Sequence, residues 1–98
     1  MDKQIREKIL NDYKIANKNI LKIIEGKPNY FVKDIKQYLE PTIVTEILSL
    51  KDEQAELMYF TKIRNTLEDI LTGRKVTLSC HFNEAPDYFW QAYNKSLE

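Results

Sequence analysis

Along residues 2–25 the apolar positions Ile5, Ile9, Tyr13, Ala16, Ile20 and Ile23 recur at steps of four and three. That spacing lines one face of an α-helix. Leu10, Leu21 and Ile24 widen the stripe, whereas Lys3, Glu7, Lys14, Lys18 and Lys22 fall mostly outside it. Asp2 is placed to cap the first turn, Gly26 suits the left-handed position after the last, and Pro28 blocks continuation.

A second, shorter helix is predicted over 30–39, opened by Asn29 and facing inward through Phe31, Ile35 and Tyr38 or Leu39. Proline is tolerated in a first turn but not in a helix interior, so Glu40-Pro41 marks a break or kink. Ile43, Val44, Ile47, Leu48 and Leu50 define a third helix over 42–50. Ser49-Leu50-Lys51-Asp52 has the form of a new helix start, a hydroxyl followed three residues later by an acid. Leu57, Phe60, Ile63 or Arg64, Leu67 and Ile70 or Leu71 then keep helical spacing up to Thr72, and Gly73 stands where a C-cap belongs. The pattern leaves open whether 42–72 is one kinked helix or two.

The period then changes. Val76, Leu78, Cys80 and Phe82 alternate with Thr77, Ser79 and His81, which is the signature of a strand. No other segment offers itself as a partner strand. The stretch is therefore expected to pair with a second copy, pair with a partner's sheet edge, or serve as an extended connector. Asn83-Glu84-Ala85-Pro86 starts a last helix, with Pro86 in its first turn and Phe89, Trp90, Tyr93 and Leu97 as its apolar surface. The expected fold is mainly α: one domain over 1–98, a compact four- to five-helix bundle with one short extended segment near 75–82.

Composition narrows the class. A chain of 98 residues, 43% hydrophobic and 31% charged, suits one globular domain and is too rich in large apolar residues for a disordered one. The net charge of zero argues against a dedicated nucleic-acid binder. It conceals an asymmetry, because residues 1–39 hold nine Lys or Arg against five Asp or Glu, and residues 40–98 hold six against ten. A single cysteine, Cys80, allows no internal disulfide and fits a reducing compartment. The N-terminus does not read as a signal peptide, and no apolar run approaches the roughly 20 residues of a membrane span, so the expected location is the cytoplasm, with no membrane partner.

The search for chemistry yields little. Cys80 and His81 are the only soft ligands, and as neighbours on a strand they would face opposite ways, which serves neither a metal nor a Cys–His nucleophile. No Gly-rich phosphate loop exists, since the only glycines are Gly26 and Gly73. No cofactor, metal or catalytic residue is expected, and an enzyme is the reading the sequence supports least.

Binding remains. Tyr88, Phe89 and Trp90 are consecutive and span most of a helix circumference, so at least one must be exposed or meet a partner. With Tyr93 and the acids Glu68, Asp69, Glu84 and Asp87, they form the expected partner-binding set, suited to a protein with a basic surface. The leading expectation is a non-catalytic protein-binding module: a small inhibitor, immunity protein, antitoxin or regulatory subunit. A weaker alternative is a DNA-associated, helix-turn-helix-like regulator using the basic residues of 1–39. Its would-be recognition helix lacks base-reading side chains, carrying Glu46 and no basic residue before Lys51. A third is a structural homo-oligomer joined through 76–82 or through apolar helical faces.

Overall fold

A computed structural model describes residues 2–26, 33–50, 53–78 and 80–97. Helix α1 spans Lys3–Ile24, α2 Lys33–Lys36, α3 Pro41–Leu50, α4 Glu53–Thr72 and α5 Asp87–Ser96, with a 3-10 turn at Cys80–Glu84. The two long helices form the frame. α1 packs chiefly on α4, and Arg6, near the start of α1, donates from Nη1 to the carbonyl of Leu71 at the end of α4, 3.1 Å away. The start of one long helix thus meets the end of the other, and the two run antiparallel. At 1.5 Å per residue α1 is about 33 Å long, most of the molecule's 39 Å extent. α5 lies against both, α2 against α1, and α3 against α4.

The boundaries follow local chemistry. Asp2 Oδ1 accepts the Gln4 amide at 2.7 Å, so the N-cap forms as its sequence requires. Gly73 takes φ +73°, which lets the Arg74 amide reach back to the Asp69 carbonyl at 2.9 Å and close the last turn of α4. Gly26 takes φ +71° after α1, and its amide donates to the Ile23 carbonyl at 3.0 Å. The Glu40 carbonyl receives the amides of Ile43 and Val44, so the break at Glu40-Pro41 forms and Pro41 opens α3.

The core draws Ile9, Ala16, Ile20 and Ile23 from α1, and Phe60, Ile63, Leu67 and Ile70 from α4. Ile35, Tyr38, Leu39 and Ile47 join the same cluster, as do Val76, Phe82, Phe89 and Ala92. Mainly α, with the helix spacing described above, is thus the observed architecture.

Five expectations need correction. The 76–82 strand does not form among the described residues: 74–78 carries no regular structure and Cys80–Glu84 winds into a 3-10 turn. Val76 and Phe82 are both buried, but one arrives from an extended connector and the other from the turn. With no second strand to satisfy its backbone, alternation alone could not make a sheet. Leu10, Leu21 and Ile24 do not widen the core stripe; they are exposed. Ser49 does not cap α4 but sits in the last turn of α3, and α4 begins at Glu53. The second helix covers Lys33–Lys36 within the expected 30–39, of which 30–32 lie outside the described residues, as do Asn29, Lys51 and Asp52. The last helix starts one residue later than expected, with Pro86 as its N-cap. No described helix is long and apolar enough to cross a membrane.

Candidate partner-binding site

The C-terminal helix carries the aromatic residues that the sequence singles out. Pro86 holds φ −68° and ψ 158°, and its carbonyl accepts the amides of Phe89 and Trp90. This fixes the start of α5 and hence the direction of every ring on it. Phe89 goes fully into the core, stacking on Phe82 at 5.5 Å between centroids and meeting Tyr38 edge-on at 5.4 Å. Its neighbours in sequence, Tyr88 and Trp90, are then forced to opposite flanks, and both are half-buried.

Tyr88 turns toward α1. Its hydroxyl donates a short hydrogen bond to Asp12 Oδ2, and Tyr38 donates to the same oxygen at 2.6 Å. Gln37 Nε2 donates to the Tyr88 hydroxyl at 3.3 Å, and the Lys8 ammonium lies 5.5 Å from the centre of the Tyr88 ring. One buried carboxylate thereby ties α1 to α5 and to the exit of α2. Burial, followed by the negative charge of Asp12, pushes the Tyr38 hydroxyl far above the ordinary phenol range. Burial and the bond to Asp12 raise Tyr88 as well. Both hydroxyls therefore keep their protons at neutral pH and act as donors. Neither is poised as a base or a nucleophile, so the arrangement is suited to holding the helices together.

Trp90 and Tyr93 occupy the other flank. The Trp90 indole N–H donates to the Ala85 carbonyl at 3.1 Å, and its ring meets Phe89 and Tyr93 edge-on at 5.1 and 5.9 Å. Tyr93 in turn stacks parallel to Phe89 at 6.4 Å. Two half-buried rings are thus pinned by a hydrogen bond and by ring contacts, with part of each face open to solvent. Asp87 and Glu84 lie exposed at the start of α5 and in the 3-10 turn before it. Asp87 and Trp90 belong to the first turn of α5, Tyr93 to the next, and Glu84 to the 3-10 turn before it.

The remaining acids sit elsewhere. Glu68 and Asp69 are half-buried on α4. Asp69 lines an open groove of about 280 Å³ with Lys62, Asn65, Thr66, Thr77, Leu78 and Phe82. Phe82, which lines the groove, also stacks on Phe89 of α5. Tyr88 faces α1, Trp90 and Tyr93 meet on the other flank, Asp87 opens the same helix and Glu84 lies in the turn before it. Cys80 and His81 fall on the 3-10 turn and not on a strand; their side chains lie outside the described residues. Among the described residues no three His, Cys, Asp or Glu side chains gather to hold a metal ion.

Two features escaped the sequence reading. Asp12 falls at helical spacing between Ile9 and Ala16, inside the buried stripe, and a carboxylate there demands donors. That signal was present in the sequence, although its partners were not. The second is the exposed row Leu10, Leu21 and Ile24. No protein-family model, no curated protein and no solved structure matches the chain.

Proposed function

We propose that this chain is a non-catalytic protein-binding module, of the kind used as an inhibitor, immunity protein, antitoxin or regulatory subunit, and that it meets its partner through the exposed end of α5. The observation that carries this reading is the pinned pair Trp90 and Tyr93. Rings held in place before binding lose little conformational freedom on contact, and Trp and Tyr supply large area for few rotatable bonds. Asp87 and Glu84 beside them favour a partner with a basic surface, speeding encounter and fixing orientation. The Asp12–Tyr38–Tyr88 cluster supports the same reading from the other side: its hydroxyls are committed to holding α5 in place.

The test compares capture of the partner by wild type, Trp90→Ala/Tyr93→Ala and Glu84→Gln/Asp87→Asn. The aromatic pair is expected to lose capture. The charge pair, exposed and remote from the core, is expected to weaken it and to reduce its dependence on salt. Circular dichroism establishes that each variant is folded. Undiminished capture by both variants would remove α5 as the contact surface.

A further inference from the structure

The outward face of α1 carries three large apolar side chains that the fold leaves in solvent: Leu10 is 37% exposed, Leu21 53% and Ile24 66%. They share one line along the helix. With Lys14 and Asn17 they follow the sequence 10, 14, 17, 21, 24, a strict alternation of four and three. At 100° per residue these five positions fall within roughly 80° of arc, centred about 130° from the buried face made by Ile9, Asp12, Ala16, Asn19, Ile20 and Ile23. α1 thus has two faces of helical period. One is spent on α4 and α5. The second is narrower, apolar at both ends and polar at its centre.

We infer that this second stripe is a docking seam for an acidic amphipathic helix of another protein. A four-three alternation is the a/d spacing that keeps a straight seam facing a partner helix over about 21 Å, and neither a strand nor a loop would benefit from it. The two polar positions select the occupant. An amide or an ammonium inside a seam weakens it but fixes register and partner, because each needs a matching polar group opposite. Asn17 is half-buried at the centre, where a facing amide can pair with it. The stem of Lys14 can pack along apolar surface while its ammonium reaches past the rim to a carboxylate.

The charge around the seam also leans one way. Lys14 and Lys18 are exposed along it and Lys3 in line before it, against Glu7 and Glu25. A partner with Glu or Asp beside its own apolar stripe is complementary. A second copy is not, because two α1 faces brought together would oppose one basic flank to another. The narrow arc with its polar centre also fits a helix better than a lipid surface, which calls for a broad apolar face. This surface is distinct from the end of α5 and rests on its own observations.

The probe is a synthetic three-heptad peptide with Leu at a and d, one central Asn in that seam to face Asn17, and Glu at e and g. Its like charges keep it from self-association. Its lysine-flanked counterpart serves as control. Binding is read by fluorescence anisotropy against wild type, Leu10→Gln/Leu21→Gln and Trp90→Ala/Tyr93→Ala. The acidic peptide is expected to bind saturably and to weaken as salt rises. The lysine-flanked peptide and the Leu10→Gln/Leu21→Gln protein should each bind at least about tenfold more weakly, while the α5 variant binds as wild type. Both leucines are exposed, so their replacement leaves the fold intact, which circular dichroism confirms. The inference is overturned if the acidic peptide fails to bind, if both peptides bind alike, or if the leucine variant binds as well as wild type. It is equally overturned if the protein alone sediments as a dimer that the leucine variant dissociates, or if the face takes up phosphatidylserine vesicles but not the peptide. Loss of partner capture by the α5 variant with unchanged peptide binding would separate the two surfaces.

Discussion

Asp12 shows how one residue organises this fold. A carboxylate in the α1 core stripe is costly unless its oxygens are satisfied, and Tyr38 and Tyr88 both donate to the same one. Hydrogen bonds to a charged group contribute about 1.5–3 kcal/mol each, so Tyr38→Phe should lower unfolding free energy by about that amount in urea titration. The same residue predicts a pH effect. Folded Tyr38 holds its proton at pH values where an unfolded tyrosine, with pKa near 10, has lost it. The folded state then binds more protons than the unfolded one, so this contribution is intact below about pH 10 and falls as pH rises beyond it, by up to about 1.4 kcal/mol per pH unit. The stability gap between wild type and Tyr38→Phe should therefore narrow above about pH 10. A gap that stays constant to high pH would show that Tyr38 is not held in its neutral form by the fold.

At the scale of the elements, caps carry the boundaries. Gly73 sits at φ +73° with open space where a Cβ would go, so Gly73→Ala costs only the backbone strain of the left-handed region, about 1–2 kcal/mol, and thermal unfolding reads it directly. Asp2→Ala removes the acceptor for the Gln4 amide and should cost about 1 kcal/mol, chiefly by fraying the start of α1. These positions were legible in the sequence because they obey local rules: Asp2 acts through its side chain on the amide two residues on, and Gly26, Pro41 and Gly73 through their own backbone. The helices were legible for a related reason, since Ile9, Ala16, Ile20 and Phe60, Ile63, Leu67 repeat at the helical period. The 76–82 segment was not, because a strand is a relation between two segments and the alternation describes one. Val76 and Phe82 alternate with polar residues for separate reasons, one as a connector laid on the core and the other inside a 3-10 turn. Leu10, Leu21 and Ile24 misled for a different reason. Period shows which residues share a face, but the number of faces that find a partner depends on how many helices surround α1.

For the whole molecule, the division between the basic residues of 1–39 and the acidic residues of 40–98 acquires a physical setting. The exposed lysines of α1 flank one surface, and Asp87 with Glu84 flank another at the end of α5. Which residues would gather at α5 could be read only in part from the sequence. Trp90 and Tyr93 come together because Pro86 and Phe89 fix the helix. Tyr88 leaves the group because Asp12, distant in sequence, claims its hydroxyl. Nothing in the spacing of α5 announces a partner on α1.

The central claim is that the chain works by binding a protein. It is tested most directly by capture from lysate of the source cells, with bound material resolved into protein and nucleic acid and its stoichiometry measured. One protein is expected, bound in fixed ratio by wild type and released by Trp90→Ala/Tyr93→Ala. Nucleic acid bound in place of protein, and eluting as salt rises, would contradict it and move the function to the lysines of α1.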